Sequence, residues 1–282
     1  MPKASPPACD PGLAIGPLRD WLRRHPRLFV VTGAGCSTGA GIPDYRDENG
    51  DWKRPRPVTY QAFMGDAATR RRYWARSLVG WPVMGGARPG AAHHALARLE
   101  RQGRIELLLT QNVDGLHHAA GSRRVIDLHG RIDTVRCMDC EARTPRAELQ
   151  RELLRRNPAW AALSASAAPD GDADLQGRDF QSFDLPPCPR CGTGLLKPDV
   201  VFFGESVPRG RVDAAHAALA RADAVLVAGS SLMVYSGYRF VQAAAQRGLP
   251  VAAINRGRTR ADGLLALKLE ADVGQALEQL SY

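Results

Sequence analysis

Short runs of apolar residues recur along the chain, and most of them are apolar at successive positions. Such uninterrupted runs are typical of strands that are covered on both faces of a sheet. Five of them predict strands, at 27–32, 104–109, 125–129, 223–229 and 250–254. Helical patterns lie around them, at 12–24, 90–102, 112–120, 209–221, 236–247 and 273–280. This alternation predicts an α/β fold with a doubly wound parallel sheet.

Two segments interrupt the alternation. The segment 44–80 begins rich in turns and then becomes helical in pattern, and 131–195 contains two pairs of cysteines. In the latter, 144–157 predicts a helix with Thr144 as its N-cap, and 164–177 predicts a mobile loop. We therefore expect a Rossmann-like sheet with a second, smaller zinc-binding and helical domain. The predicted boundaries are 1–43, 81–130 and 196–282 for the Rossmann-like domain, and 44–80 and 131–195 for the small domain.

The chain of 282 residues carries a formal net charge of +9. A basic excess can indicate a nucleic-acid binder, and a zinc ribbon of that kind would place basic and aromatic residues beside its cysteines. Arg136 and Arg190 lie there, but no aromatic residue adjoins the cysteines. Most of the arginines are spread over helical stretches, so the sequence favours a function without nucleic acid.

No stretch approaches the roughly 20 apolar residues of a membrane span. The first residues, "MPKASPPACD", lack both an apolar signal core and an arginine-rich transit pattern. The sequence thus predicts a soluble protein with no membrane partner. We expect it in the bacterial cytoplasm, or in the mitochondrion if it is the mature form of a eukaryotic protein.

A glycine-rich turn follows the first predicted strand and contains Gly33, Gly35 and Gly39. Its spacing is one residue longer than the G-x-G-x-x-G fingerprint, and no strand-end acid follows about twenty residues later, which disfavours an ordinary Rossmann dehydrogenase. Small residues between a strand and a helix N-terminus nevertheless suit a phosphate group. Taken alone, the turn leaves a variant dinucleotide site and a tight turn without ligand equally open.

Polar residues follow four further predicted strands. Gln111, Asn112 and Asp114 follow the second, where helix capping requires only one of them. His129 ends the third, and an imidazole that titrates near neutrality is a candidate general base there. Carboxyl ends of parallel strands share one edge of the sheet, so these groups should meet. The last two strands are followed by small and amide groups suited to ribose and phosphate, namely Gly229, Ser230, Ser231, Asn255, Arg256 and Gly257.

The two cysteine pairs are Cys137-x-x-Cys140 and Cys188-x-x-Cys191. Four thiolates at this spacing fit one tetrahedral Zn²⁺, and a site with four protein ligands is closed and structural. Two redox dithiols or free thiols are the alternatives.

Several motifs occur together and in order: "GAGCSTGAGIPDYR", "TQNVD", "LHG", the cysteine pairs, "LKPDVVFFGE", "GSSL" and "INRG". Together they resemble the sirtuins, the NAD-dependent protein deacylases, over nearly the whole chain from Trp21. Further stretches, including "VYSGYRF", resemble the class II branch, and the chain looks like a bacterial member.

The resemblance implies NAD as co-substrate, one structural Zn²⁺ on the four cysteines, and His129 as the base. It implies an NAD site formed by Gly33, Ala34, Gly35, Cys36, Ser37, Asp44, Tyr45, Arg46, Gln111, Asn112, Val113, Asp114, Gly229, Ser230, Ser231, Asn255, Arg256, Gly257 and Val273.

The implied reaction removes acyl groups from protein lysines and yields nicotinamide, O-acyl-ADP-ribose and free lysine. The nicotinamide–ribose bond breaks first as the acyl oxygen captures the ribose carbon, and the base then takes a proton from a ribose hydroxyl. ADP-ribosyl transfer to proteins and lipoamide removal remain alternatives on the same site.

The acylated protein should bind as an extended strand, with Val201, Phe202, Phe203 and Gly204 on one side and the stretch "SSLMVYSG" on the other. Tyr73-x-x-Arg76 is similar to the Tyr-x-x-Arg with which desuccinylating sirtuins hold an acidic acyl chain. A solvated arginine on a helix is the alternative for Arg76.

Overall fold

The computed structural model describes residues 15–53, 55–161, 163, 173, 175 and 178–280. Its strands, numbered in chain order, are β1 (Leu28–Thr32), β2 (Ile105–Thr110), β3 (Val125–Asp127), β4 (Gly130–Cys137), β5 (Arg143–Pro145), β6 (Leu196–Val200), β7 (Ala224–Ala228), β8 (Val251–Ile254) and β9 (Leu267–Leu269). Its α-helices are α1 (Gly16–Arg24), α2 (Tyr60–Gly65), α3 (Ala67–Gly86), α4 (Ala91–Arg101), α5 (Leu116–Ala119), α6 (Arg146–Arg156), α7 (Pro158–Ala161), α8 (Arg209–Leu219), α9 (Tyr235–Gln246) and α10 (Val273–Glu278).

The main sheet has the strand order β3-β2-β1-β7-β8-β9, and every neighbouring pair is parallel. The chain first winds outward from β1 to β3, then returns to β7 beside β1 and winds outward the other way. The strand order therefore reverses between β1 and β7, and open α/β sheets bind their ligands at such a switch point. The predicted doubly wound, Rossmann-like fold is confirmed.

Both faces of the main sheet are covered, as the apolar runs predict. All five residues of β1 are buried. Leu28 and Val30 pack into a core with α1, α4 and α10, whereas Phe29 and Val31 pack on the other face with α8 and α9. Successive side chains of one strand thus supply two separate cores.

A second sheet is antiparallel, with the order β5-β4-β6. It shares a core with α2, α3 and α6, in which Phe63, Trp74 and Leu153 are buried against Val135 of β4. This core is distinct from the two on the faces of the main sheet. A smaller unit of helices and cysteine-bearing strands is therefore present, while its exact predicted boundaries stay a prediction.

Local details differ from the sequence-based expectations. Strands β4, β5, β6 and β9 were not predicted. Thr144 as an N-cap is wrong, because it pairs with Val135 in the small sheet and the helix begins at Arg146 after Pro145. The predicted helix 112–120 shrinks to α5, since residues 111–115 form a loop at the sheet edge. The predicted mobile loop 164–177 lies almost wholly outside the described residues. Among the helices that the structure describes, none has both the length and the apolar character to cross a bilayer.

Candidate active site

A cavity of about 620 Å³ opens at the carboxyl ends of the main-sheet strands, beside the switch point. Its walls come from the segments after β1, β2, β3, β7 and β8, from the loop 44–58, and from the residues after β6. The candidate residues that line it are Gly33, Ala34, Gly35, Asp44, Tyr45, Arg46, Tyr73, Gln111, Asn112, Val113, His129, Val201, Phe202, Phe203, Gly204, Gly229, Ser230, Ser231, Asn255, Arg256 and Val273.

The remaining candidates, Cys36, Ser37, Asp114, Gly257 and Arg76, are not among the lining residues. Cys36 is buried behind the glycine turn, where its thiol donates to the carbonyl of Ala228, and burial raises its pKa far above the usual range. Ser37 and Asp114 lie one layer behind the wall and bond to each other. Ser37 and Asp114 therefore stabilise the residues of the cavity wall without lining the cavity themselves.

The glycine turn is pressed against the loop after β7. A Cβ on Gly33 would lie 2.7 Å from Cβ of Ser230, and one on Gly35 would lie 2.9 Å from Cα of Gly229. Gly229 itself has a left-handed φ of 62°, which favours glycine. The missing side chains thus bring two backbone segments together at the switch point, and the main chain of this glycine cradle lines the cavity, where a phosphate group can reach it.

Gly35→Ala is expected to destabilise the protein by about 1–3 kcal/mol, because its new methyl group meets backbone that cannot rotate away. The turn must then shift, so affinity for NAD should fall as well. The matched control is Gly39→Ala in the same turn, where a Cβ meets nothing within 4 Å. Thermal unfolding and NAD titration of both variants check this; equal behaviour of the two would contradict it.

Amide side chains tie the strand ends together. Nε2 of Gln111 donates to Oγ of Ser230 at 2.7 Å, and Nδ2 of Asn112 donates to the carbonyl of Gly33 at 3.0 Å. Oδ1 of Asp114, the residue before the N-cap Gly115, accepts from the first N–H of α5, that of Leu116, and Oδ2 accepts from the Ser37 hydroxyl at 2.7 Å. Capping therefore explains one oxygen of Asp114, while the other belongs to the network behind the cavity.

His129 is the imidazole that the structure brings into this cavity. Its Nδ1 lies 2.9 Å from the carbonyl oxygen of Gln111, and its Nε2 lies 2.7 Å from Oγ of Ser236. Burial lowers the pKa of His129 to about 4; the hydrogen bond to Gln111 acts against this, and the charges of Arg211 and Arg239 act with it. The expectation that this imidazole titrates near neutrality is therefore wrong, because burial disfavours its charged form. The ring is neutral at physiological pH, the state in which it can accept a proton.

The loop after the glycine turn is held by an aromatic residue that sequence reasoning missed. The guanidinium of Arg46 lies 4.0 Å from the ring centroid of Trp52, and Asp44 pairs with Lys53 at 2.6 Å. Trp52 also meets the ring of Phe203 edge-on at 5.6 Å. The only sequence signal was a tryptophan in a turn-rich stretch, which does not reveal such contacts.

The residues after β6 form a second wall, which a buried ion pair holds. Lys197 is only 2% exposed, and its Nζ lies 3.1 Å from Glu205, whose carboxylate accepts from the N–H of Phe202. The N–H of Val201 donates to the carbonyl of His129 at 2.7 Å. This wall is therefore fixed relative to His129 through main-chain bonding, which was not foreseen.

Tyr73 and Arg76 have different surroundings. Tyr73 is buried among Phe63, Trp74 and Phe202 and reaches the cavity wall. Nε of Arg76 donates to the carbonyl of Ala173 at 2.8 Å. The two residues are thus not brought together on the cavity wall.

The four paired cysteines converge at the end of the small sheet, with every Sγ within 4.8 Å of the others. The Sγ atoms of Cys137 and Cys191, and likewise those of Cys140 and Cys188, lie 3.8 Å apart. Tetrahedral Zn²⁺ with bonds of about 2.3 Å places its sulfurs roughly 3.8 Å apart. The donor set and its spacing fit one structural zinc ion.

A glycine turn at the switch point of a doubly wound sheet is the arrangement with which this class of fold binds dinucleotides. The chain belongs to the Sir2 family: the model of that family matches residues 33–236. The resemblance seen in the sequence is confirmed.

Two curated relatives and one solved structure place the chain within this family. It is 68% identical over 260 residues to an NAD-dependent protein deacetylase of Xanthomonas axonopodis pv. citri, covering 92% of this chain and 88% of that protein. It is 48% identical over 274 residues to the mitochondrial NAD-dependent protein lipoamidase sirtuin-4 of Bos taurus, covering 96% and 86%. A solved Sir2 structure with a p53 peptide and NAD⁺ superposes with a TM-score of 0.76 at 28% identity, covering 95% of this chain and 97% of that one.

Proposed function

We propose that this chain is an NAD-dependent protein deacylase that transfers acyl groups from protein lysines to ADP-ribose. The observation that carries the proposal is the neutral imidazole of His129 in the cavity at the switch point, beside the glycine cradle. The names of the bacterial relatives, NAD-dependent protein deacetylases, support it. A cytoplasmic location stays a prediction.

Bound NAD would supply the activated ribose carbon and accept the acyl group. In this proposal the main chain of Gly33 and Gly35, which lines the cavity, binds the phosphates. Asn255 and Val273, which face the same cavity, hold the adenosine half. Gln111, Asn112 and the loop 44–46 enclose the nicotinamide half, with Asp114 held behind them by Ser37.

His129 acts on the protons of the ribose. Its Nδ1 is engaged by the carbonyl of Gln111, so Nε2 is the nitrogen that receives a proton. A positioned base typically contributes 10²–10⁴-fold to a rate. A zinc ion held by the four cysteines at the end of the small sheet would have no role in this step.

The acylated segment of the protein substrate binds as an extended strand against the wall at 201–204. Phe203 is 39% exposed there. Main-chain pairing of this kind gives affinity with little sequence preference. Neither a membrane nor a nucleic acid belongs to this proposal.

A separate question is which acyl group the enzyme removes, since relatives are named both deacetylase and lipoamidase. The experiment is mass spectrometry of the products from NAD and a pool of peptides bearing acetyl, glutaryl-type or lipoyl lysine. We expect nicotinamide, O-acyl-ADP-ribose and free lysine in equal amounts, with one acyl class consumed first. NAD that remains intact with every peptide would contradict the proposal.

The same experiment separates the alternative activity. A protein ADP-ribosyltransferase would leave the ADP-ribose mass on the peptide or on an added protein, and the acyl group would stay on the lysine.

A further inference from the structure

The hydroxyl of Ser236 is the partner of the His129 imidazole on its cavity side; it lies in the stretch "VYSGYRF", whose resemblance to the class II branch gave it no role beside the imidazole. Ser236 is the second residue of α9 and lines the cavity. Its Oγ lies 2.7 Å from Nε2 of His129. The ring is thus held from two sides, because Nδ1 lies 2.9 Å from the carbonyl oxygen of Gln111.

The chemistry of these two partners determines which ring nitrogen carries the proton. A backbone carbonyl can only accept, so Nδ1 of the neutral ring must carry the hydrogen and donate to Gln111. Nε2 then holds the lone pair, and the Ser236 hydroxyl must be its donor. The neutral tautomer with a basic Nε2 follows from these two contacts together.

A hydroxyl can also reverse its role. Nε2 has a single lone pair and Oγ lies in its direction, so a proton reaches the ring through the hydroxyl: Ser236 passes its own hydrogen to Nε2, takes one from the ribose hydroxyl, and then accepts from the new Nε2–H. An alanine there can neither donate nor accept. The nearby cations, Arg211 and Arg239, bond to the carbonyls of Leu128 and Ser236 and have no acceptor to offer the ring.

We propose that Ser236 relays the proton of the deacylation step: its hydroxyl holds the His129 ring through Nε2, passes its hydrogen to that nitrogen as it takes one from the ribose hydroxyl, and is itself unchanged afterwards. The inference rests on the proposed function. It concerns the step that follows loss of nicotinamide, because that is the step in which the imidazole receives a proton.

The kinetic test compares two rates in Ser236→Ala and Ser236→Thr. Exchange of labelled nicotinamide into NAD, in the presence of acyl-peptide, reports the first step; release of free lysine reports the whole reaction. A lost hydrogen bond predicts that kcat of deacylation falls about 3- to 10-fold in Ser236→Ala. Exchange and the KM for NAD should stay unchanged, and Ser236→Thr, which keeps the hydroxyl, should recover the rate.

The second readout does not need turnover. In ¹⁵N-NMR of the histidine ring, Ser236→Ala should move the Nε2 resonance of His129 toward that of an acceptor without a donor, while Nδ1 stays protonated. Alanine is favourable in a helix, so the variant is expected to fold.

The results of these two tests distinguish failure of the role of Ser236 from failure of the proposed function. An unchanged Nε2 resonance or a full deacylation rate in Ser236→Ala would overturn the role of Ser236, and so would equal loss of exchange and deacylation, which indicates general damage. Failure of the unaltered protein to consume NAD with any acyl-peptide would instead overturn the proposed function, and the NMR result would still report on the contact.

Discussion

Replacing His129 with alanine is expected to lower lysine deacylation by about 10²–10⁴-fold, the contribution that a positioned general base typically makes. Its two neighbours fix the orientation of the ring and place the lone pair on Nε2, because Nδ1 bonds to Gln111 and Nε2 faces Ser236. Burial keeps its pKa near 4, so it is unprotonated at neutral pH. Removing it leaves the ribose hydroxyl without a base.

NAD binding should survive the same change. The side chains of Gln111 and Asn112 bond to Ser230, Gly33 and Ser37, and the contact of the imidazole with this network is to the main-chain carbonyl of Gln111. We therefore expect the dissociation constant for NAD to change little, and nicotinamide exchange to persist while free lysine ceases to form.

The matched control is His94→Ala, which removes an exposed imidazole from α4 outside the cavity. It should match the unaltered protein in both assays. Calorimetric titration with NAD and product analysis by mass spectrometry provide the two measurements. Full deacylation by His129→Ala would show that another group takes the proton.

The location of the site was predictable because a parallel sheet obeys a simple rule. Each apolar run ends where its chain leaves the sheet, and the carboxyl ends of parallel strands share one edge. Gly33, Gln111, His129 and Ser230 therefore lie together although they are nearly 200 positions apart at the extremes. In the sequence, each apolar run predicts a strand, and the polar residues that follow it predict the edge of the sheet at which the site lies.

The contacts that support the site were not predictable in the same way. Trp52 meets Arg46 and Phe203, and Lys197 is buried with Glu205, through packing between segments that no local pattern relates. Thr144 shows the opposite failure: it has a good local capping signal, but pairing with β4 takes it into the small sheet. Tertiary contacts override local preference wherever a short segment has a neighbouring strand to join.

Loss of the zinc site is expected to have the largest effect on stability. Cys137 and Cys188 are buried within the core of the small sheet, and a Cβ on Gly194 would lie 2.3 Å from Sγ of Cys137. The segments that carry the cysteines therefore pack tightly around the four sulfur atoms. Zinc contributes about 10–16 kcal/mol of apparent binding free energy in zinc-finger peptides, so even a fraction of that rivals the stability of a whole domain.

The test is Cys188→Ser, measured by metal analysis and thermal unfolding. We expect about one zinc per chain in the unaltered protein, almost none in the variant, and a transition lowered by ten degrees or more, since 1 kcal/mol shifts the midpoint by roughly 2–4 °C at this size. The control is Cys36→Ala, a buried cysteine outside the cluster, which should keep its zinc. Because β6 leads directly into the wall at 201–204, the variant should also bind acyl-peptide more weakly. Retention of zinc by Cys188→Ser, or an unchanged midpoint without zinc, would show that the four sulfurs do not hold the small sheet together.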